Sequence, residues 1–208
     1  NEMWYVVDSE PGSYLYCGLS RDASKEEILE RINNNTITDI LNKIEVKAGD
    51  VVMVKAGTIH AIGAGVFICE IQQNSNCTYR MYDYDRRDKF GNPRELHVKK
   101  ALDVVDNHKY IKDNKTEVVI ARNEHFTEER LVQCKYFEVY KYDVNDEAKI
   151  TVDEASFVSV LFINGSGTIE TDDYEKTMEF KAGDSFFVSA GLRSIIVKGQ
   201  ATMVVTRV

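Results

Sequence analysis

The chain has 208 residues, 43% of them hydrophobic and 29% charged, with a formal net charge of −8. That length suits one large domain or two small ones, and the composition is ordinary for a globular protein in water. The acidic balance argues against nucleic acid as a partner, because a phosphate backbone needs a basic face; no apolar run approaches the roughly 18 residues of a membrane span.

In chain order, residues 3–7 and 14–19 are short β-branched or aromatic runs bounded by turn residues, and both predict strands. The apolar run at 3–7 has no basic stretch before it, so no signal peptide is expected. Ser24-Lys25-Glu26-Glu27 then has the form of a capping box, and Ile28, Leu29 and Ile32 give the helix behind it one apolar face. Thr36 to Asp39 starts a second short helical turn carrying Ile40 and Leu41, so a helical insertion is expected over about 24–43. Strands are predicted again at 44–47, 51–55, 66–72 and 77–82. Arg86, Arg87, Lys89 and Arg94 form a basic cluster, but Asp83, Asp85 and Asp88 are interspersed among them, which reads as a solvated turn. Val98, Ala101, Leu102 and Val105 recur at helical spacing. The polar stretch Asp106–Lys115 predicts a domain junction, dividing the chain into 1–112 and 113–208.

A second series of strands follows at 117–122, 130–134, 136–142, 149–152, 157–163, 167–171, 177–180, 184–188, 194–198 and 201–207. So many short strands predict a mainly β protein, a sandwich or jelly roll rather than an α/β sheet. Cys17, Cys69, Cys77 and Cys134 show no CxxC spacing, and they read as buried thiols of a cytoplasmic protein.

The most informative feature is an internal repeat. Residues 45–60 read EVKAGDVVMVKAGTIH and residues 179–194 read EFKAGDSFFVSAGLRS. Gly49-Asp50, Ala56-Gly57 and His60 align without a gap on Gly183-Asp184, Ala190-Gly191 and Ser194. Each copy is a Gly-Asp turn, a strand and an Ala-Gly turn, and glycine suits such turns because it accepts positive φ. Upstream, Tyr5-Val6-Val7-Asp8 lies on Leu161-Phe162-Ile163-Asn164, which sets Glu2 opposite Val158. The first copy is longer by about the length of the helical stretch. A carboxylate and an imidazole thus occur together in the first copy, while the second has valine and serine.

The G-D-x5-A-G-x2-H pattern resembles the second cupin motif, whose histidine is a metal ligand at the mouth of a small β-barrel. The resemblance predicts two cupin-type jelly-roll domains, the first metal-binding with a helical insertion and the second structural. Further motifs narrow it. Glu2-Met3-Trp4-Tyr5, Ala56 through Gly63, Glu70 through Ser75 and Thr78-Tyr79-Arg80 with Tyr82-Asp83 occur in that order, followed by Arg94-Glu95-Leu96-His97 before Lys100-Ala101-Leu102. Together they resemble type I mannose-6-phosphate isomerases of the short bacterial kind.

That resemblance implies one zinc ion, with Glu2 and His60 as two of its ligands and a Gln-x-His element expected upstream of residue 1. The chain is therefore expected to be an N-terminally shortened isomerase, inactive alone and prone to dimerise or swap strands through unpaired edges. The implied reaction interconverts mannose 6-phosphate and fructose 6-phosphate through a cis-enediol. Arg80 matches the catalytic arginine that stabilises the enediolate. Alternation along 66–72 sets Glu70 on one face with Val66, Ile68 and Gln72, where apolar neighbours would raise its pKa, so Glu70 is the candidate base or a substrate contact. Trp4 and Gln72 are expected to touch the sugar, and Arg86, Arg87 and Lys89 are conceivable phosphate donors. His97 reads as a residue at a helix start; His108 and His125 sit in polar loops. A different class, a catalytically silent bicupin that binds sugar or regulates a partner, fits the same motifs.

Overall fold

The computed structural model describes residues 1–75, 77–112, 118–171 and 174–208, with the backbone alone for 174–176. The chain is mainly β and divides into two compact units, Asn1–Lys112 and Asp113–Val208. Part of the expected junction, residues 113–115, lies outside the described residues, as does residue 117 of the strand expected there. Among the described residues no helix is long and apolar enough to cross a membrane.

The first unit runs β1 (Glu2–Ser9), β2 (Tyr14–Leu19), α1 (Lys25–Asn33), a 3-10 turn at Ile37–Ile40, β3 (Leu41–Glu45), β4 (Val51–Val54), β5 (His60–Ile62), β6 (Val66–Gln72) and α2 (Val98–Val104). Its strands form two antiparallel three-stranded sheets, ordered β4-β1-β6 and β3-β2-β5. Period-two alternation sends Trp4, Val6, Val52 and Val54 from one sheet, and Leu15 and Cys17 from the other, into a shared apolar core. A second cluster, with Leu19, Ile28, Ile32, Ile37, Ile40 and Val105, seats the helical insertion.

Helix α1 begins where the capping box places it. The Ser24 hydroxyl accepts from the Glu27 N–H at 3.1 Å, and Ile28 and Ile32 are buried. The Glu27 carboxylate turns instead to Arg21 and Arg31, so only half of the box forms. Replacing Ser24 with alanine strands a helix N–H and is expected to cost about 1 kcal/mol, read as a lower urea midpoint. The helical insertion closes at Ile40, earlier than residue 43, because Leu41 already pairs with Leu19 as a strand. Residues 77–82 form no strand among the described residues: the run is apolar enough, but no neighbouring strand pairs with it.

The second unit is an eight-stranded antiparallel sheet. Its strands are β7 (Val118–Arg122), β8 (Phe126–Gln133), β9 (Glu138–Val144), β10 (Glu147–Val152), β11 (Val158–Thr171), β12 (Tyr174–Lys181), β13 (Ser185–Val188) and β14 (Arg193–Arg207). Strand β14 pairs with β9, β10 and β11, and β11 pairs with β12 and β13, so the sheet curls around its own core. Phe162 lies at the centre of that core, fully buried and stacked on Phe180 at 3.7 Å.

The sequence repeat is visible in the hydrogen bonds of both units. The Val6 N–H donates to the Asp50 carbonyl at 2.9 Å and the Gly49 N–H to the Val6 carbonyl at 2.8 Å. The Phe162 N–H donates to the Asp184 carbonyl at 3.0 Å and the Gly183 N–H to the Phe162 carbonyl at 2.8 Å. In each copy the aspartate side chain closes its own turn, accepting from the Lys47 or Lys181 N–H at 2.9 Å. A register shift follows at Val6/Asp8 in one copy and Phe162/Asn164 in the other. The two copies share a backbone device, not merely a composition.

Candidate active site

The functional side chains gather at one end of the first unit, on the ends of β1, β5 and β6. Strand β1 pairs Glu2 with Val54 and Gln72, and Trp4 with Glu70. Glu2, Trp4, Glu70 and Gln72 thus share the face that also carries Val6 and Ile68 into the core. Strand β5 pairs His60 with Cys17 on β2. The Ala-Gly turn before it needs Gly57: φ is +86°, and a Cβ there would sit 2.7 Å from the Val104 carbonyl oxygen.

Glu2 Oε2 and His60 Nε2 are 3.5 Å apart. The His60 Nδ1–H donates to the Thr58 carbonyl at 2.8 Å, which fixes the tautomer and leaves the Nε2 lone pair facing Glu2. The Trp4 ring meets the imidazole edge-on, with centroids 5.4 Å apart. Burial raises the Glu2 carboxyl above its ordinary value; His60 opposes the rise, and the neighbouring Glu70 adds to it. A carboxylate under that pressure gains from a nearby cation.

This pair fits two places of a zinc site. Tetrahedral ligands at about 2.0–2.1 Å from zinc lie roughly 3.3 Å from one another, close to the separation seen. Among the described residues no third His, Cys, Asp or Glu completes the set. Cys17 and Cys69 are buried, with thiols pushed up to about 11 by that burial, and stay out of such chemistry. Not all four thiols are buried as expected: Cys134 is half-buried, and Cys77 is exposed on the cavity wall.

That cavity encloses about 650 Å³. Glu2, His60, Gln72 and Arg80 all line it. No hydrogen bond or ion pair engages the Arg80 guanidinium among the described residues. Its backbone is held by His97, whose N–H donates to the Arg80 carbonyl at 2.7 Å and whose Nδ1 accepts from the Arg80 N–H at 3.3 Å. His97 therefore does more than begin α2; its motif position signalled importance without showing what it touches.

Two expected assignments change. Trp4 is 1% exposed and is not among the residues that line the cavity. Its indole N–H donates to Glu70 Oε1 at 3.1 Å. Glu70 is exposed rather than enclosed by apolar neighbours, because the strand ends at the rim of the core, and it too is absent from the cavity wall. The burial on which a base role was argued is missing; Glu70 instead braces Trp4 and lies against Glu2.

The basic cluster is also more ordered than a solvated turn. Asp83 is 6% exposed and binds both Arg86 and Arg94, the latter at 3.6 Å. All three line the cavity, whereas Arg87 pairs with Asp85 at 3.0 Å and, like Lys89, does not. Arg94 was not singled out as a phosphate donor by sequence reasoning. Only the burial of Asp83 separates it from the other aspartates of the run.

The family model for the mannose-6-phosphate isomerase cupin domain matches residues 127–208. The chain is 39% identical over 212 residues to a putative mannose-6-phosphate isomerase, YvyI, of Bacillus subtilis, which covers 100% of this chain and 64% of that protein. It is 32% identical over 215 residues to the mannose-6-phosphate isomerase ManA of the same organism, covering 99% and 63%. The crystal structure of the mannose 6-phosphate isomerase from Bacillus subtilis superposes with a TM-score of 0.88 at 36% identity, over 100% of this chain and 64% of that one. A putative mannosephosphate isomerase from Archaeoglobus fulgidus shares the fold, with a TM-score of 0.69 at 20% identity. The chain spans just under two thirds of the length of these curated relatives. Sequence likeness along the whole of this chain and a matching fold agree with the motifs around Glu2, His60 and Arg80: over its full length the chain is similar to mannose-6-phosphate isomerases.

Proposed function

We propose that this chain forms the metal-binding core of a zinc-dependent enzyme interconverting mannose 6-phosphate and fructose 6-phosphate, built from two jelly-roll units of which the first is catalytic. One observation carries this reading: two donors spaced for a metal and an unpaired arginine face the same cavity. Glu2 and His60 would hold the zinc as anionic carboxylate and neutral imidazole. When bound, zinc supplies fixed positive charge near the sugar oxygens on which an enediolate's negative charge develops.

The other roles fall to the chain itself. Arg80 meets the enediolate with a cation that does not lose its proton. Gln72 offers an amide to the sugar hydroxyls. Arg86 and Arg94, tied together through Asp83, suit the phosphate group. Trp4 and Glu70 hold His60 and Glu2 in position, and His97 holds the Arg80 backbone. The free cysteines suit a cytoplasmic setting. Self-association through a strand edge is supported by β6, an edge strand that exposes Phe67.

The test is zinc content with mannose 6-phosphate turnover in the full gene product and its R80K variant. Lysine keeps the charge but loses the planar fork, so kcat is expected to fall roughly 10²-fold with zinc content unchanged. Stoichiometric zinc without turnover in the unaltered protein would favour a silent sugar-binding bicupin instead.

A further inference from the structure

The repeat gives the second unit an end equivalent to the one that carries Glu2 and His60. Val158 pairs with Val188 and Arg207 as Glu2 pairs with Val54 and Gln72. Thr151 pairs with Ser194 as Cys17 pairs with His60. The carboxylate and the imidazole are gone, yet a cavity of about 320 Å³ opens here, with Thr151, Ser156, Val158 and Arg207 on its wall.

Arg207 is the unusual member. Alternation along β14 sets it on the same face as the core residues Val205 and Met203, at the point where that face reaches the cavity. Its guanidinium lies over the Tyr140 ring, 5.3 Å from the centroid, which holds it flat. No ion pair or hydrogen bond engages it among the described residues, and its Nε is shielded from solvent without an acceptor. The nearby carboxylates are already committed. Glu138 accepts from the Tyr140 hydroxyl at 2.7 Å and from the Gln133 amide, and Asp153 accepts from the Ala155 and Ser156 N–H groups. Shielded N–H groups are rarely left unpaired, and a fixed guanidinium matches a phosphate or carboxylate in two-point contact. Lys135 adds a second cation to the same wall.

We propose that this end of the second unit is a binding site for a small hydroxylated anion, a sugar phosphate or sugar acid. Arg207 grips the anionic group, and Thr151 and Ser156 face the hydroxyls. The site uses none of the residues assigned to zinc or to the enediolate, so it stands apart from the proposed reaction.

The test follows the Arg207 Nε–H signal by NMR in the intact, arginine-labelled protein, assigned by through-bond correlation from its own backbone. Glucose 6-phosphate, gluconate, glucose and inorganic phosphate serve as probes. Saturable shifts with the first two, and none with glucose, are expected; their relative strength tells phosphate from carboxylate. Filling the cavity with S156W is expected to weaken glucose 6-phosphate binding at least about tenfold, whereas H60A leaves this titration unchanged even if it abolishes zinc binding. An Arg207 signal unmoved by both anions overturns the site, as does a titration that S156W does not alter. Inorganic phosphate binding as tightly as glucose 6-phosphate overturns the role given to the hydroxyls.

Discussion

Replacing His60 with alanine in the full gene product is expected to abolish zinc binding and cut mannose 6-phosphate turnover by roughly 10³-fold or more. On the proposed ligand role, the substitution removes a cation worth several kcal/mol to a developing enediolate. Little else should change. The His60 side chain is 36% exposed, and its Nδ1 bond to Thr58 is local, so the fold does not depend on the ring. Metal content by mass spectrometry, turnover and the urea midpoint separate the two effects. A large stability loss with zinc retained would show that His60 is a structural residue and that the ligand reading is wrong.

The second large effect is on stability. Phe162→Ala is expected to destabilise the protein by about 3–5 kcal/mol, as truncation of a fully buried aromatic residue does. Phe162 is 0% exposed, stacks on Phe180 and meets Phe186 edge-on. Its N–H and carbonyl also hold the Gly183-Asp184 turn, so the cavity opens beside the device that closes the sheet. Such a loss is a large share of the roughly 5–15 kcal/mol by which domains are stable. Urea unfolding followed by circular dichroism should show a lower midpoint with the slope unchanged. A change under 1 kcal/mol would mean that the core closes around the missing ring.

Much of this was legible in the residues. Strands 14–19 and 66–72 and the start of α1 lie where periodicity and capping chemistry put them. The repeat was legible because its turns need glycine and aspartate for stated reasons. Less legible was continuity across glycine. Residues 157–163 and 167–171 read as two strands, as did 194–198 and 201–207, yet each pair is one long strand. Gly165 and Gly199 look like turn residues, but they allow β11 and β14 to approach: a Cβ at Gly165 would lie 1.9 Å from the Gln200 carbonyl oxygen. The three-residue β5 was missed because its motif reads as a turn.

The site was legible as a set of residue types and less so as a set of depths. Glu2, His60, Gln72 and Arg80 meet at one cavity, but sequence could not tell that Trp4 would be buried or that Glu70 would be exposed away from the cavity wall. Alternation fixes which face a side chain takes, not how far along the strand the core ends. The same limit hid Arg94, since nothing in a run of alternating charges marks which aspartate will be buried.

The Gly-Asp clasp at Val6 and Phe162 has a consequence for how such a protein can change over generations. In both copies the clasp secures the sheet four residues in from the strand end that bears Glu2 or Val158. The end is thereby free to vary while the closure stays put. Exchanging Glu2, His60 and Gln72 for Val158, Ser194 and Arg207 replaces a carboxylate–imidazole pair with a guanidinium without altering the clasp. The backbone closure is thus the same in both copies while the strand-end side chains that would carry chemistry differ.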